Sequence, residues 1–193
     1  MGASEDTSFP RLVSLACHDL RTPLATVQGF ARTLARMGGL GDPQDRYLGL
    51  IDTASTQLTE LLEVLALAAR IEGGRWEPLR QEADTLALAR DAVERLGEKA
   101  VVRGEGAGVT TDPEALRTAV FGFANAALRH GGLEQVELDV AGRELRIGPV
   151  TDAAPVVLAE SLRDLGAAVG RMAVEALGGT VEVAAERLVI RLP

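Results

Sequence analysis

Along the first third of the chain, apolar residues recur three and four positions apart, the spacing of one helical face. With Leu20 as reference at about 100° per residue, Val13, Ala16, Leu20, Leu24, Val27, Ala31 and Leu34 fall within one stripe. The stripe stops at MGGLGDP, where Gly38, Gly39 and Gly41 end the helix. Asp42 is expected to cap a second helix, with Pro43 at its first position. In that helix Leu48, Ile51, Ser55, Leu58, Leu62, Leu65 and Ala69 alternate three and four apart, a heptad seam. Leu50, Ala54, Leu61 and Val64 lay a second apolar row beside it. Two such helices make a hairpin that cannot bury both rows by itself. The pattern therefore predicts a second copy completing a two-fold symmetric four-helix bundle, or a monomer that folds its remaining residues over the hairpin.

From about Ile71 the texture changes. IEGGRWEP reads as a linker, and an α/β pattern follows. Helices are expected over about Asp84–Leu96, Asp112–Arg129 and Ala159–Leu177. Alternation predicts strands over Gln135–Val140, Glu144–Gly148, Thr180–Ala184 and Arg187–Leu192, the last two a hairpin turning at Ala185–Glu186. The expected fold class is α+β, with a helical hairpin domain over 1–72 and an α/β sandwich over 73–193.

Composition narrows the function. At 193 residues, 47% hydrophobic and 25% charged, the chain has the make-up of a soluble globular protein. A net charge of -8, with Lys99 the sole lysine, argues against nucleic acid or an anionic membrane as partner. Cys17 is the only cysteine, so neither an internal disulfide nor a thiolate metal cage is available. No apolar signal core opens the sequence, and no run reaches the roughly 18–20 apolar residues that span a bilayer. The expected location is cytoplasmic.

Candidate chemistry lies in CHDLRTPLATVQGF, Cys17 to Phe30. His18 sits about 160° around the helix from the Leu20 stripe, and Thr22 follows one turn later on the same outward face. Asp19 could hydrogen-bond one imidazole nitrogen, leaving the other as a nucleophile. Pro23 removes a backbone donor and should bend the helix just beyond His18. On these residues, HDLRTPL resembles the phospho-acceptor box of the two-component histidine kinases, which sits on the first helix of a dimeric hairpin. The resemblance implies that His18 carries phosphate, that Asp19 takes or orients its proton, and that Thr22 positions water or the phosphoryl group. It also implies that Arg21 contributes to the surface met by a partner receiver domain, whose phosphorylated aspartate is the counterpart and which holds the magnesium.

The resemblance extends into the second half. TTDPEALRTAVFGFANAALRHGG is similar to the asparagine-box helix of the family's ATP-binding domain, and EALGGTVEVAAERLVIRLP to its closing hairpin. The nucleotide contacts depart from the family pattern. Phe121 replaces the first asparagine, leaving Asn125 as a residual magnesium-site candidate or, equally, a cap or packing residue. Asp152 is not followed by the glycines that accompany the adenine-reading aspartate. In DLGAAVG, Gly166 matches one phosphate-loop glycine while Asp164 stands in place of the other, where a carboxylate repels a triphosphate. His130 is expected to cap the last carbonyls of its helix, with no metal partner.

The resulting expectation is a histidine phosphotransferase of kinase descent, passing phosphoryl groups between His18 and receiver aspartates. It would be a homodimer through the hairpin, with no metal site and no tightly bound cofactor, ATP included. One alternative is an ATP-dependent sensor kinase with a divergent nucleotide site. Another is a non-catalytic dimeric scaffold binding a kinase or receiver.

Overall fold

The computed structural model describes residues 9–38, 41–161 and 163–193; within the first two helices, the side chains of 9–12, 14–16, 19, 23, 42 and 43 fall outside that set. The chain divides into two compact units, Met1–Gly74 and Arg75–Pro193.

The first unit is a pair of long helices, α1 (Phe9–Met37) and α2 (Asp42–Glu72). The cap of α2 is Gly41 in extended conformation, one residue earlier than the expected Asp42, and it makes no side-chain cap bond. Cross-helix bonds fix the antiparallel register: Gln28 Nε2 donates to Thr56 Oγ1 at 2.9 Å, and Arg32 Nε to Asp52 Oδ1 at 2.8 Å. Two heptad rows part company around this register. Cys17, Leu24 and Ala31 on α1, with Leu48, Ser55, Leu62 and Ala69 on α2, are buried or half-buried. The other row is open, with Leu20 54%, Val27 49% and Leu34 45% exposed, and Ile51 and Leu58 exposed on α2. This corrects the single stripe centred on Leu20. One neighbouring helix covers only part of a helix's circumference, so half of the apolar positions stay uncovered.

The second unit contains β1 (Gln81–Asp84), α3 (Thr85–Val93), β2 (Ala100–Gly106), β3 (Gly108–Thr111), α4 (Pro113–Gly131), β4 (Val136–Gly142) and β5 (Glu144–Gly148). A one-turn α5 (Ala154–Val157), α6 (Leu165–Ala176), β6 (Thr180–Ala184) and β7 (Arg187–Arg191) complete it. β1 and β3 pair as a small antiparallel ribbon. The main sheet runs β2-β4-β5-β7-β6, parallel only between β2 and β4. The third helix begins at Leu165 rather than Ala159. Asp164 is its N-cap, accepting from Ala167 N at 3.1 Å, and Ala159 just upstream has a positive φ of 55° that no helix continues through.

Period-2 alternation sorts the sheet's two faces. Inward-facing Val136, Leu138, Val140, Leu145, Ile147, Leu188 and Ile190 are all buried. The outward face is charged and paired across strands. Arg191 reaches Glu144 at 2.8 Å and Glu182 at 2.6 Å, while Arg187 reaches Asp139 at 2.8 Å and Glu137 at 3.0 Å. Arg187 makes its contacts by crossing Gly148 on the intervening strand; a Cβ there would lie 2.8 Å from Arg187 Cγ.

Candidate functional site

The rotation of α1 positions the chemistry in the hairpin. Buried Cys17 turns toward α2, so His18, about 100° on, and Thr22, one turn further, both lie on the outward side. His18, Arg21 and Thr22 are exposed, and the turn stays helical through all three. The side chains of Asp19 and Pro23 lie outside the described residues, so the expected proton partner and the expected bend both fall there. An exposed imidazole with a hydroxyl one helical turn away can meet an incoming electrophile and hold a water or an oxygen beside it.

In the second unit, α4 and α6 carry the residues expected at a nucleotide site. Asn125 is half-buried on α4. Phe121, one turn earlier, has the guanidinium of Arg95 3.4 Å from its ring centroid, a cation–π contact. Gly166 packs against α4, where a Cβ on it would lie 3.2 Å from Gly122 Cα and 3.2 Å from Asp164 Oδ1. The start of α6 holds a carboxylate, since the Asp164 side chain is 5% exposed and ties up Ala167 N. Arg129 Nη1 stands 3.5 Å from Asp164 Oδ2, and His130 Nε2 3.4 Å from the same oxygen. His130 therefore faces the start of α6 rather than its own helix's last carbonyls; its buried Nε2 makes no hydrogen bond there. A backbone amide bonded to a buried carboxylate is not offered to a phosphate. Asp152, the other candidate, is exposed on a single 3-10 turn.

Among the described residues, no group of three or more His, Cys, Asp or Glu is placed to hold a metal ion, and no helix is long and apolar enough to cross a membrane. Sequence reasoning missed the Asp164–Arg129–His130 grouping. These residues lie about 35 positions apart, and their meeting depends on how α4 and α6 pack.

Residues 11–74 match the His Kinase A (phospho-acceptor) domain. The chain is 29% identical over 180 residues to an uncharacterized sensor-like histidine kinase, R01002, of Rhizobium meliloti (strain 1021), covering 84% of this chain and 34% of that protein. It is 34% identical over 91 residues to the probable sensor histidine kinase TcrY of Mycobacterium tuberculosis, covering 47% of this chain and 19% of that protein. The chain thus spans about a third or less of these curated relatives. Among solved structures, full-length ShkA in complex with AMPPNP superposes at TM-score 0.70 with 22% identity, over 96% of this chain and 46% of that one. The Acinetobacter baumannii histidine kinase AdeS superposes at 0.53 with 16% identity, over 91% and 96%. At these identities the likeness is one of fold: a helical hairpin followed by an α/β domain.

Proposed function

Because this chain belongs to the two-component histidine kinase family, we propose that it carries a phosphoryl group on His18 and exchanges it with aspartates of response-regulator receiver domains. The observation behind this reading is the pairing of exposed His18 with exposed Thr22 on α1, inside the matched phospho-acceptor segment. A neutral imidazole nitrogen attacks the phosphorus of a receiver's aspartyl phosphate. The N–P bond forms as the P–O bond to the aspartate breaks, and the aspartate leaves as a carboxylate. Asp19 takes or orients the proton on the other ring nitrogen, Thr22 steadies the phosphoryl oxygens or a water, and Arg21 meets the partner. Positioning does most of the work in such a transfer, and magnesium belongs to the receiver.

The open heptad row supports a homodimer. Leu20, Val27, Leu34, Ile51 and Leu58 form an exposed apolar face along the hairpin, and a second copy of the same face completes a four-helix bundle.

A second reading is an ATP-dependent sensor kinase. The names of both curated relatives favour it, as does the retained Asn125. The carboxylate at the start of α6 favours the first reading. One paired experiment separates them: the purified protein is incubated with a phosphorylated receiver and, separately, with labelled ATP and magnesium. Acid-labile label from the receiver, absent in His18→Ala, is expected. Label from ATP alone establishes the kinase instead, and label from neither leaves a scaffold that binds without carrying phosphate.

A further inference from the structure

The three longer helices of the second unit start alike. Asp84, Asp112 and Asp164 each accept from the backbone N–H three residues on, at 2.9, 3.1 and 3.1 Å. Asp112 does something the ordinary cap does not. Its Oδ1 takes Ala115 N, while its Oδ2 takes Leu79 N at 2.9 Å, on the segment that enters the unit ahead of β1. The carboxylate is buried, and neighbouring contacts tie the same segment down: Arg80 Nη1 donates to Thr110 O at 3.5 Å, and Gln81 pairs with Thr111. Leu79 itself is 74% exposed, so apolar packing does little to hold it.

We propose that Asp112 is a two-way latch: one oxygen starts α4, the other holds the incoming segment 75–80, and release of either loosens its counterpart. Both bonds draw on one charge and one side-chain rotamer. A carboxylate offers two acceptor oxygens, whereas an asparagine offers one oxygen and a donor that clashes with an N–H. By reciprocity, whatever the segment gains from a well-formed first turn of α4, that turn gains from the segment. Displacement of residues 75–80 is thereby felt on α4, the helix that bears Phe121 and Asn125 and packs Gly122 against Gly166.

Residue-resolved amide exchange on the whole chain tests the latch. Asp112→Asn keeps the cap acceptor and loses the second one. The Leu79 amide should then exchange about tenfold faster, while Ala115 stays within about threefold. Leu79→Pro removes the donor without touching Asp112, and the Ala115 and Leu116 amides should exchange about threefold or more faster. Asp84→Asn, a cap with no second bond described, should leave Leu79 unchanged. The latch is overturned if Leu79 is no faster in Asp112→Asn, or if α4's first turn is indifferent to Leu79→Pro. It is equally overturned if the β4 amides accelerate as much as the first turn, since the substitution has then loosened the whole unit.

Discussion

The two units handle apolar surface in opposite ways. The second unit closes on itself: Phe123, Leu116, Leu138, Leu145, Ile147 and Leu188 are fully buried between helices and sheet, and cross-strand ion pairs cover the sheet's outer face. The hairpin closes only one heptad row and leaves Leu20, Val27, Phe30, Met37, Leu58 and Leu61 exposed. The exposed histidine and threonine sit on the open unit. In the closed unit, the start of α6 holds a carboxylate that accepts from Ala167 N. The unit that buries its apolar residues thus has a buried carboxylate at the start of α6, and the unit with an uncovered apolar row carries the exposed His18 and Thr22.

Association should give the largest effect. An arginine in place of Leu58 puts a charge into the proposed seam, and sedimentation should shift from a two-chain mass to the single-chain 20.3 kDa. A single-chain mass for the unaltered protein would break the contrast at its root. In the closed unit, Phe123→Ala should cost about 3–5 kcal/mol in urea unfolding. The same truncation at exposed Leu58 should change the second unit's transition by less than about 0.5 kcal/mol. Next comes Gly122→Ala, whose new methyl meets the Gly166 backbone and should cost about 1–3 kcal/mol.

The smallest effect is electrostatic. Hydrogen bonds from Arg187, with Arg103 beside it, hold Glu137 below its ordinary 4.5, and Arg146 and Arg191 do the same to Glu144. Carboxyls whose pKa is lower in the folded state stabilise it above the unfolded value. This contribution is therefore in place above pH 4.5 and is lost as the pH falls through the lowered values. Acid titration of the second unit's melting temperature should show a modest decline there, and Arg187→Ala should flatten it. An unchanged profile in that variant would mean that the ion pairs over the sheet are ornamental.

The hairpin was legible because long helices with heptad rows leave an unmistakable period, and HDLRTPL is contiguous. Which row faces inward was not, since both rows are apolar and only the partner helix decides between them. In the second unit, β4–β7 alternate cleanly, and the first two expected helices begin at Asp84 and Asp112, the residues that cap α3 and α4. The short β1 and β3, QEAD and GVTT, carry four residues each and little apolar signal. β2 is a parallel edge strand whose second half, RGEG, reads as a turn. The apolar spacing that runs throughout VVLAESLRDLG predicts the start of α6 six residues early, and Asp164, which reads as a lost glycine in DLGAAVG, is the cap. The sequence also could not show Asp112 reaching Leu79, a bond made between positions 33 apart.

Calorimetric titration of the whole protein with magnesium and AMPPNP tests most directly the proposal that the closed unit binds no nucleotide. The account predicts no saturable heat at millimolar nucleotide. A micromolar dissociation constant with one site per chain would contradict it.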